Sequence, residues 1–222
     1  MSILKKYFSY LNVIPERTYQ STYNGVLEIN WLNGKKILDT KNTNYSYGNL
    51  GKVLQKGLQA VTTDFCTEET SILILGLGGG DVVKQLRNNF KSRASITAVE
   101  IDPVIIQVAL KEFDIIPNSK LEIVNNDANV FLKYTKECYN LIIVDLFNDV
   151  TIPDFVFQTE FIKSVYDVLH LNGSIIFNTF ILSDVHKVRN KKFVENLKRY
   201  FSVEEFPNLY GHNHLIITKK VK

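Results

Sequence analysis

Apolar residues change their period about fifty positions into the chain. Val26-Leu27-Glu28-Ile29-Asn30-Trp31 alternates, with Leu27, Ile29 and Trp31 on one face. Asn33-Gly34 supplies a type I′ turn and Ile37-Leu38 starts a return strand, so a β-hairpin with Trp31 as packing anchor is expected. Leu50, Val53, Leu54, Leu58 and Val61 then fall at helical spacing. Beyond them, strand-like runs at 71–75, 96–99, 121–124, 141–144 and 174–177 alternate with helical stretches at 81–89, 103–113, 128–134, 159–169 and 184–201. Two further strands, 203–206 and 215–218, close the chain around a loop. Near-continuous runs such as ILIL, LIIV and SIIF suit strands covered on both faces. The expected fold is α/β: a doubly wound, mostly parallel seven-stranded sheet ending in an antiparallel hairpin. Residues 1–49 form a small N-terminal β-hairpin module and 50–222 the main α/β domain.

Composition narrows the partners. The 222 residues are 45% hydrophobic and 22% charged, with a net charge of +3. Basic pairs such as Lys5-Lys6 and Lys191-Lys192 are dispersed, as on solvated faces, so no nucleic-acid footprint is read. Cys66 and Cys138 give neither a disulfide framework nor a zinc spacing, which fits a reducing cytoplasm. No window approaches a signal peptide or a membrane span, so no membrane partner is expected. His212 and His214 read as surface or hairpin residues rather than a metal pair, and no metal is expected.

The chemistry starts at Ile72-Leu-Ile-Leu-Gly76-Leu-Gly78-Gly79-Gly80-Asp81, a buried strand running through a glycine turn into a helix. Such a turn lets backbone approach a ligand at the carboxyl edge of the sheet. Glu100 ends the next strand, 24 residues past Gly76, near the roughly 20 expected of an acid that grips ribose hydroxyls. Asp102 reads as the N-cap of the Pro103 helix. A dinucleotide fingerprint would want glycine where Asp81 stands, and an acid there repels a pyrophosphate. A positively charged sulfonium nucleoside, S-adenosylmethionine (AdoMet) or a relative, tolerates it; Asp81 also suits its helix dipole. Asp127 can accept from an adenine amino group or cap the helix at Ala128, and small Ala128 leaves room for the ring. Asp145, at the mouth of the 141–144 strand, can hold or deprotonate an attacking amine.

In this order of motifs (glycine turn, Val99-Glu100-Ile101-Asp102, Asp127-Ala128, then strand, Asp145 and a Pro-bearing loop) the chain resembles the spermidine synthase-like family of polyamine aminopropyltransferases and their relatives of AdoMet-methyltransferase fold. The resemblance implies AdoMet or decarboxylated AdoMet on Gly76, Gly78, Gly79, Gly80, Glu100, Asp127 and Ala128. It makes Asp145 the catalytic acid-base, residues 146–157 a gate, and Tyr47 and Asp149 substrate contacts. A small amine acceptor is implied; independently of the resemblance, an exposed hairpin edge of the N-terminal module can pair with another copy, so a homodimer is one expectation. Departures are plain: the family's GGGDGG aspartate falls on Gly79, its second gate acid on Asn148, and its N-terminal polyamine-binding residues near Leu38 and Thr43-Asn44. Aminopropyl transfer is therefore one expectation, methyl transfer to a small molecule a second, and a non-catalytic nucleoside-binding module a third.

Overall fold

The computed structural model describes residues 2–40, 49–61, 63–148 and 151–221. Helix α1 (Ser2–Phe8) precedes three strands, β1 (Ile14–Ser21), β2 (Gly25–Leu32) and β3 (Lys35–Thr40), which form an antiparallel sheet in the order β1-β2-β3. The expected hairpin is thus the second half of a three-stranded meander. Asn33 and Gly34 take φ of 50° and 75° at its turn, as a type I′ turn requires. Leu27 and Ile29 are fully buried, whereas Trp31 is only half-buried on the rim. Its indole donates to Glu16 at 3.3 Å, so Trp31 is not the module's core anchor.

The main sheet comprises β4 (Ser71–Leu75), β5 (Ser95–Glu100), β6 (Leu121–Asn125), β7 (Tyr139–Val144), β8 (Leu169–Phe180), β9 (Ser202–Leu209) and β10 (Asn213–Lys219). Its order is β6-β5-β4-β7-β8-β10-β9. The first five strands run parallel and β10 is antiparallel to both neighbours. The helices are α2 (Asn49–Ala60), α3 (Asp81–Lys84, continued by a π turn over Gln85–Asn89), α4 (Pro103–Glu112), α5 (Ala128–Tyr134), α6 (Thr159–Asp167) and α7 (Asp184–Leu197). Alternation along β4 explains the double winding. Ile72 and Ile74 pack on one face with α2, α4 and the N-terminal sheet; Leu73 and Leu75 pack on the other with α5, α6 and α7. Burying each such side chain contributes about 1.5–3 kcal/mol.

Leu27, Ile29 and Leu38 belong to the same buried cluster as Val53, Ile74 and Val108, so the N-terminal sheet has no separate core. Polar ties reinforce the junction: Tyr19 and Lys36 each donate to Glu112 at 2.7 Å. Strand order also fixes the cleft. The sheet winds outward in opposite directions from between β4 and β7, and doubly wound sheets bind ligands beyond the carboxyl ends at such a switch point.

Candidate active site

A cavity of about 500 Å³ opens at that switch point. Gly76, Gly78 and Gly79 line it, with Asp81, Glu100, Asp127, Ala128 and Asp145. Gly76 takes φ of 95°, and a β-carbon there would collide with the backbone carbonyl of Asp145. Its N–H donates to Val99 at 2.9 Å while the Asp145 N–H donates to Leu75 at 2.9 Å, so the turn is sewn to both neighbouring strands. Gly80 is not among the lining residues. It starts α3 at φ 79° and is backed by Ile115, so its lack of a side chain serves helix packing rather than ligand approach.

Glu100 is 8% exposed and folds back onto the glycine turn. One oxygen accepts the N–H groups of Leu77 at 3.0 Å and Gly78 at 3.4 Å; the other accepts that of Asp102 at 3.0 Å. Burial pushes its pKa up, and those three donors oppose the rise. Asp102 caps α4 through Val104 at 2.8 Å. Its second oxygen also accepts from the Ser21 hydroxyl and from Asn24 at 2.7 Å. The β1–β2 turn is thereby clamped over this end of the cavity, which Tyr23 and Asn24 help to line. Asp127 caps α5, accepting from Val130 at 2.9 Å, and remains on the cavity wall, so capping does not remove it from the site. Ala128 beside it is buried.

Asp145 follows directly on β7 and lines the cavity. Asn178 of β8, 3% exposed, donates its amide N–H to Asp145 at 2.8 Å. Burial pushes the Asp145 carboxyl up to about 6; Asn178 favours the ionised form, while the charges of Asp81 and Glu100 oppose it. Asp81 is itself raised by burial, against the pull of Lys84 and Lys35. Asn178 was not foreseen, although a lone amide in the apolar strand SIIFNTF is its sequence signal. Equally unforeseen are Phe147, Phe155 and Phe180 on the cavity wall. Leu146, Phe147, Asn148, Pro153 and Phe155 line the cavity, with an Asn148–Thr151 bridge and a 3₁₀ turn, Asp154–Phe157, beside it. Tyr47 and Asp149 lie outside the described residues.

His212 and His214 do not converge: His212 is exposed beside the β9–β10 turn, and His214 is 4% exposed, with Asn190 at 3.1 Å. Among the described residues no cluster of three or more acid, cysteine or histidine side chains is placed to hold a metal. No described helix is long and apolar enough to cross a membrane.

Four carboxylates, Asp81, Glu100, Asp127 and Asp145, face the cavity, and no lysine, arginine or histidine is among its described lining residues. Such a wall repels phosphate and attracts a cation. With a glycine turn and a strand-end acid, it defines the chain as a doubly wound α/β protein of the AdoMet-methyltransferase fold class. Comparison with known proteins narrows this: the Spermine/spermidine synthase domain matches residues 52–209, and the chain belongs to that family. It is 33% identical over 118 residues to a polyamine aminopropyltransferase of Vibrio vulnificus, covering 52% of this chain and 39% of that one. A probable polyamine aminopropyl transferase of Bifidobacterium longum is 28% identical over 189 residues, covering 81% of this chain and 42% of the relative. The chain thus spans about two fifths of the length of these relatives. The crystal structure of a probable spermidine synthase from Corynebacterium glutamicum shares the fold, with a TM-score of 0.76 at 15% identity over 91% of this chain and 79% of that one.

Proposed function

We propose that the chain is a transferase that holds decarboxylated AdoMet in this cavity and moves its aminopropyl group onto a small amine. The observation that carries the proposal is the four-carboxylate wall without a described cation, centred on an aspartate whose pKa stands at about 6. The nucleoside fits the residues present. Glu100 can take the ribose hydroxyls, Asp127 the adenine amino group and Ala128 the ring face. Gly76 and Gly78 allow close approach of the backbone. When bound, the cofactor supplies a carbon made electrophilic by its positive sulfur.

Everything else falls to the chain. Asp145, ionised above about pH 6, accepts a proton from the acceptor ammonium. The freed nitrogen lone pair then forms the bond to carbon; the carbon–sulfur pair stays on sulfur, leaving a neutral thioether. Asp145 returns its proton to solvent. Catalysis of this type is mostly orientation plus general-base help, the latter worth roughly 10²–10⁴-fold. The family aspartate replaced by Gly79 has a substitute two residues on: Asp81 faces the same cavity and can meet the aminopropyl ammonium.

Release of methylthioadenosine from decarboxylated AdoMet, dependent on added amine and lost in Asp145→Asn, is the expected result. Methyl transfer from AdoMet instead, or release by Asp145→Asn at the normal rate, would overturn the reading.

A further inference from the structure

Behind the cavity wall at Phe180 runs a line of polar groups that the proposed chemistry does not use. It meets the wall at Arg189 of α7. The Arg189 guanidinium lies 4.0 Å from the Phe157 ring centroid and 5.5 Å from that of Phe180, and donates to the Phe180 carbonyl at 3.3 Å. It thereby ties the 3₁₀ turn that carries Phe155 and Phe157 to the end of β8. Arg189 also donates to Oδ1 of Asn190, from Nε at 3.1 Å and from Nη2 at 3.0 Å. Asn190 is 1% exposed.

A guanidinium offers donors and no acceptor, so the Asn190 atom it meets is the amide oxygen, and the amide's orientation is fixed. Its Nδ2 then faces the Thr179 hydroxyl at 3.1 Å, the Phe180 carbonyl at 3.2 Å and Nδ1 of His214 at 3.1 Å. Nδ1 must accept, which leaves the ring proton of neutral His214 on Nε2. That nitrogen stands 3.3 Å from the Glu205 carboxylate, off the line of a hydrogen bond. Burial pushes the buried His214 below the ordinary histidine pKa, and Glu205 opposes the fall. Among the described residues, the charges around it are few. Glu205 comes from β9 and is itself 3.7 Å from Lys198 of α7, while Arg189 lies beyond Asn190. From β8 comes the neutral Thr179, whose hydroxyl donates to the His214 carbonyl at 2.6 Å. Helix α2, with Lys52 and Lys56, packs on the opposite face of β10 against Leu215 and Ile217.

One proton taken from solvent onto Nδ1 sets N–H against N–H. Turning the Asn190 amide over relieves this, but its nitrogen then faces the Arg189 guanidinium and its oxygen the Phe180 carbonyl, both repulsive. We infer that Asn190 is a positioning residue for the cavity wall and that His214 sets it. Neutral His214 keeps Arg189 on Phe157 and Phe180; protonated His214 releases it. The consequence for turnover rests on the transferase reading above, whereas the relay itself does not.

The test follows the whole chain, labelled with nitrogen-15 at arginine and histidine, by NMR as pH falls. The Arg189 Nε–H signal should shift with the same midpoint as the His214 ring. In His214→Asn the new side-chain oxygen accepts from Asn190 in place of Nδ1 and takes up no proton. The Arg189 signal should then stay constant, while His186, which meets Phe180 edge-on at 5.0 Å, still titrates. Glu205→Gln, at a partly exposed position, removes the charge that favours protonation, so the midpoint should move to lower pH. That variant decides the matter if His214→Asn does not fold. With decarboxylated AdoMet bound, the rise of KM for putrescine through the midpoint should be several-fold larger in the unaltered chain than in His214→Asn, which shares its Asp145. An Arg189 signal without a step at the His214 midpoint, or a step that survives His214→Asn, overturns the inference. So does the same KM profile in both chains. Failure of decarboxylated AdoMet to bind would instead remove the transferase reading, and the NMR titration would still decide the relay.

Discussion

In the proposed transferase Asp145 is the general base, and its surroundings disagree about its charge. Burial and the charges of Asp81 and Glu100 hold it neutral, and the Asn178 amide holds it ionised. The acid limb of kcat/KM should therefore fall through an apparent pKa near 6, tenfold per pH unit below it. Asn178→Leu removes the amide that favours the ionised form, so the limb should move to higher pH; a limb that stays put would separate Asn178 from the base. Stability runs the other way from activity. A carboxyl whose folded pKa is raised favours the folded state below its unfolded pKa, and that advantage is lost as pH rises through about 6. Asp145→Asn should thus stabilise the chain by about 1–3 kcal/mol at pH 8 and not at pH 3, measured by urea unfolding at both pH values. The same variant should lower kcat/KM at least 100-fold, on the order expected for a general base, with nucleoside affinity retained. At this scale Glu100, Asp127 and Asp145 were legible in the sequence because each stands at or just past the end of an apolar strand, and Asp81 because it follows the glycine turn. Asn178 and the phenylalanine wall were not, since their meaning depends on which strands become neighbours.

At the scale of elements, the glycine turn and the β1–β2 turn work as a pair. Gly76→Ala would force a positive φ and drive a methyl group into the Asp145 carbonyl. It should destabilise the fold by about 1–3 kcal/mol and remove nucleoside binding, checked by thermal melts with and without ligand. Asp102 joins the two turns. Asp102→Ala loses a helix cap worth about 1 kcal/mol and leaves Ser21 and Asn24 without their acceptor. Weaker nucleoside binding should accompany the stability loss; a melt shift with unchanged Kd would leave Asp102 purely structural. Helix capping by Asp102 was readable from Asp-Pro at a helix start, but its grip on the N-terminal sheet, 81 residues back from Asp102 to Ser21, was not. Strand β1 is not legible in the sequence for a related reason. Its sequence IPERTYQS carries Pro15 and few apolar residues, and Ser21 is its one buried position, so pairing with β2 defines it rather than burial.

Across the whole molecule, one buried cluster runs from Leu27 and Leu38 into Ile74 and Val108. The change of hydrophobic period near residue 50 shows in sequence as a boundary, whereas packing continues across it. Trp31 is the single tryptophan of the chain and sits in the N-terminal sheet. Its fluorescence should therefore report the same urea midpoint as the far-ultraviolet signal of the helices, which lie mostly in the main domain. Two separated transitions would show that the sheet unfolds on its own. A wall that already carries four acids favours a cationic nucleoside without a carboxylate of its own, as the proposed function requires. Calorimetric titration with decarboxylated AdoMet, against AdoMet under the same conditions, tests it most directly. The decarboxylated form should bind at least about tenfold more tightly, a difference of about 1.4 kcal/mol; tighter binding of AdoMet, or binding of neither, would contradict it.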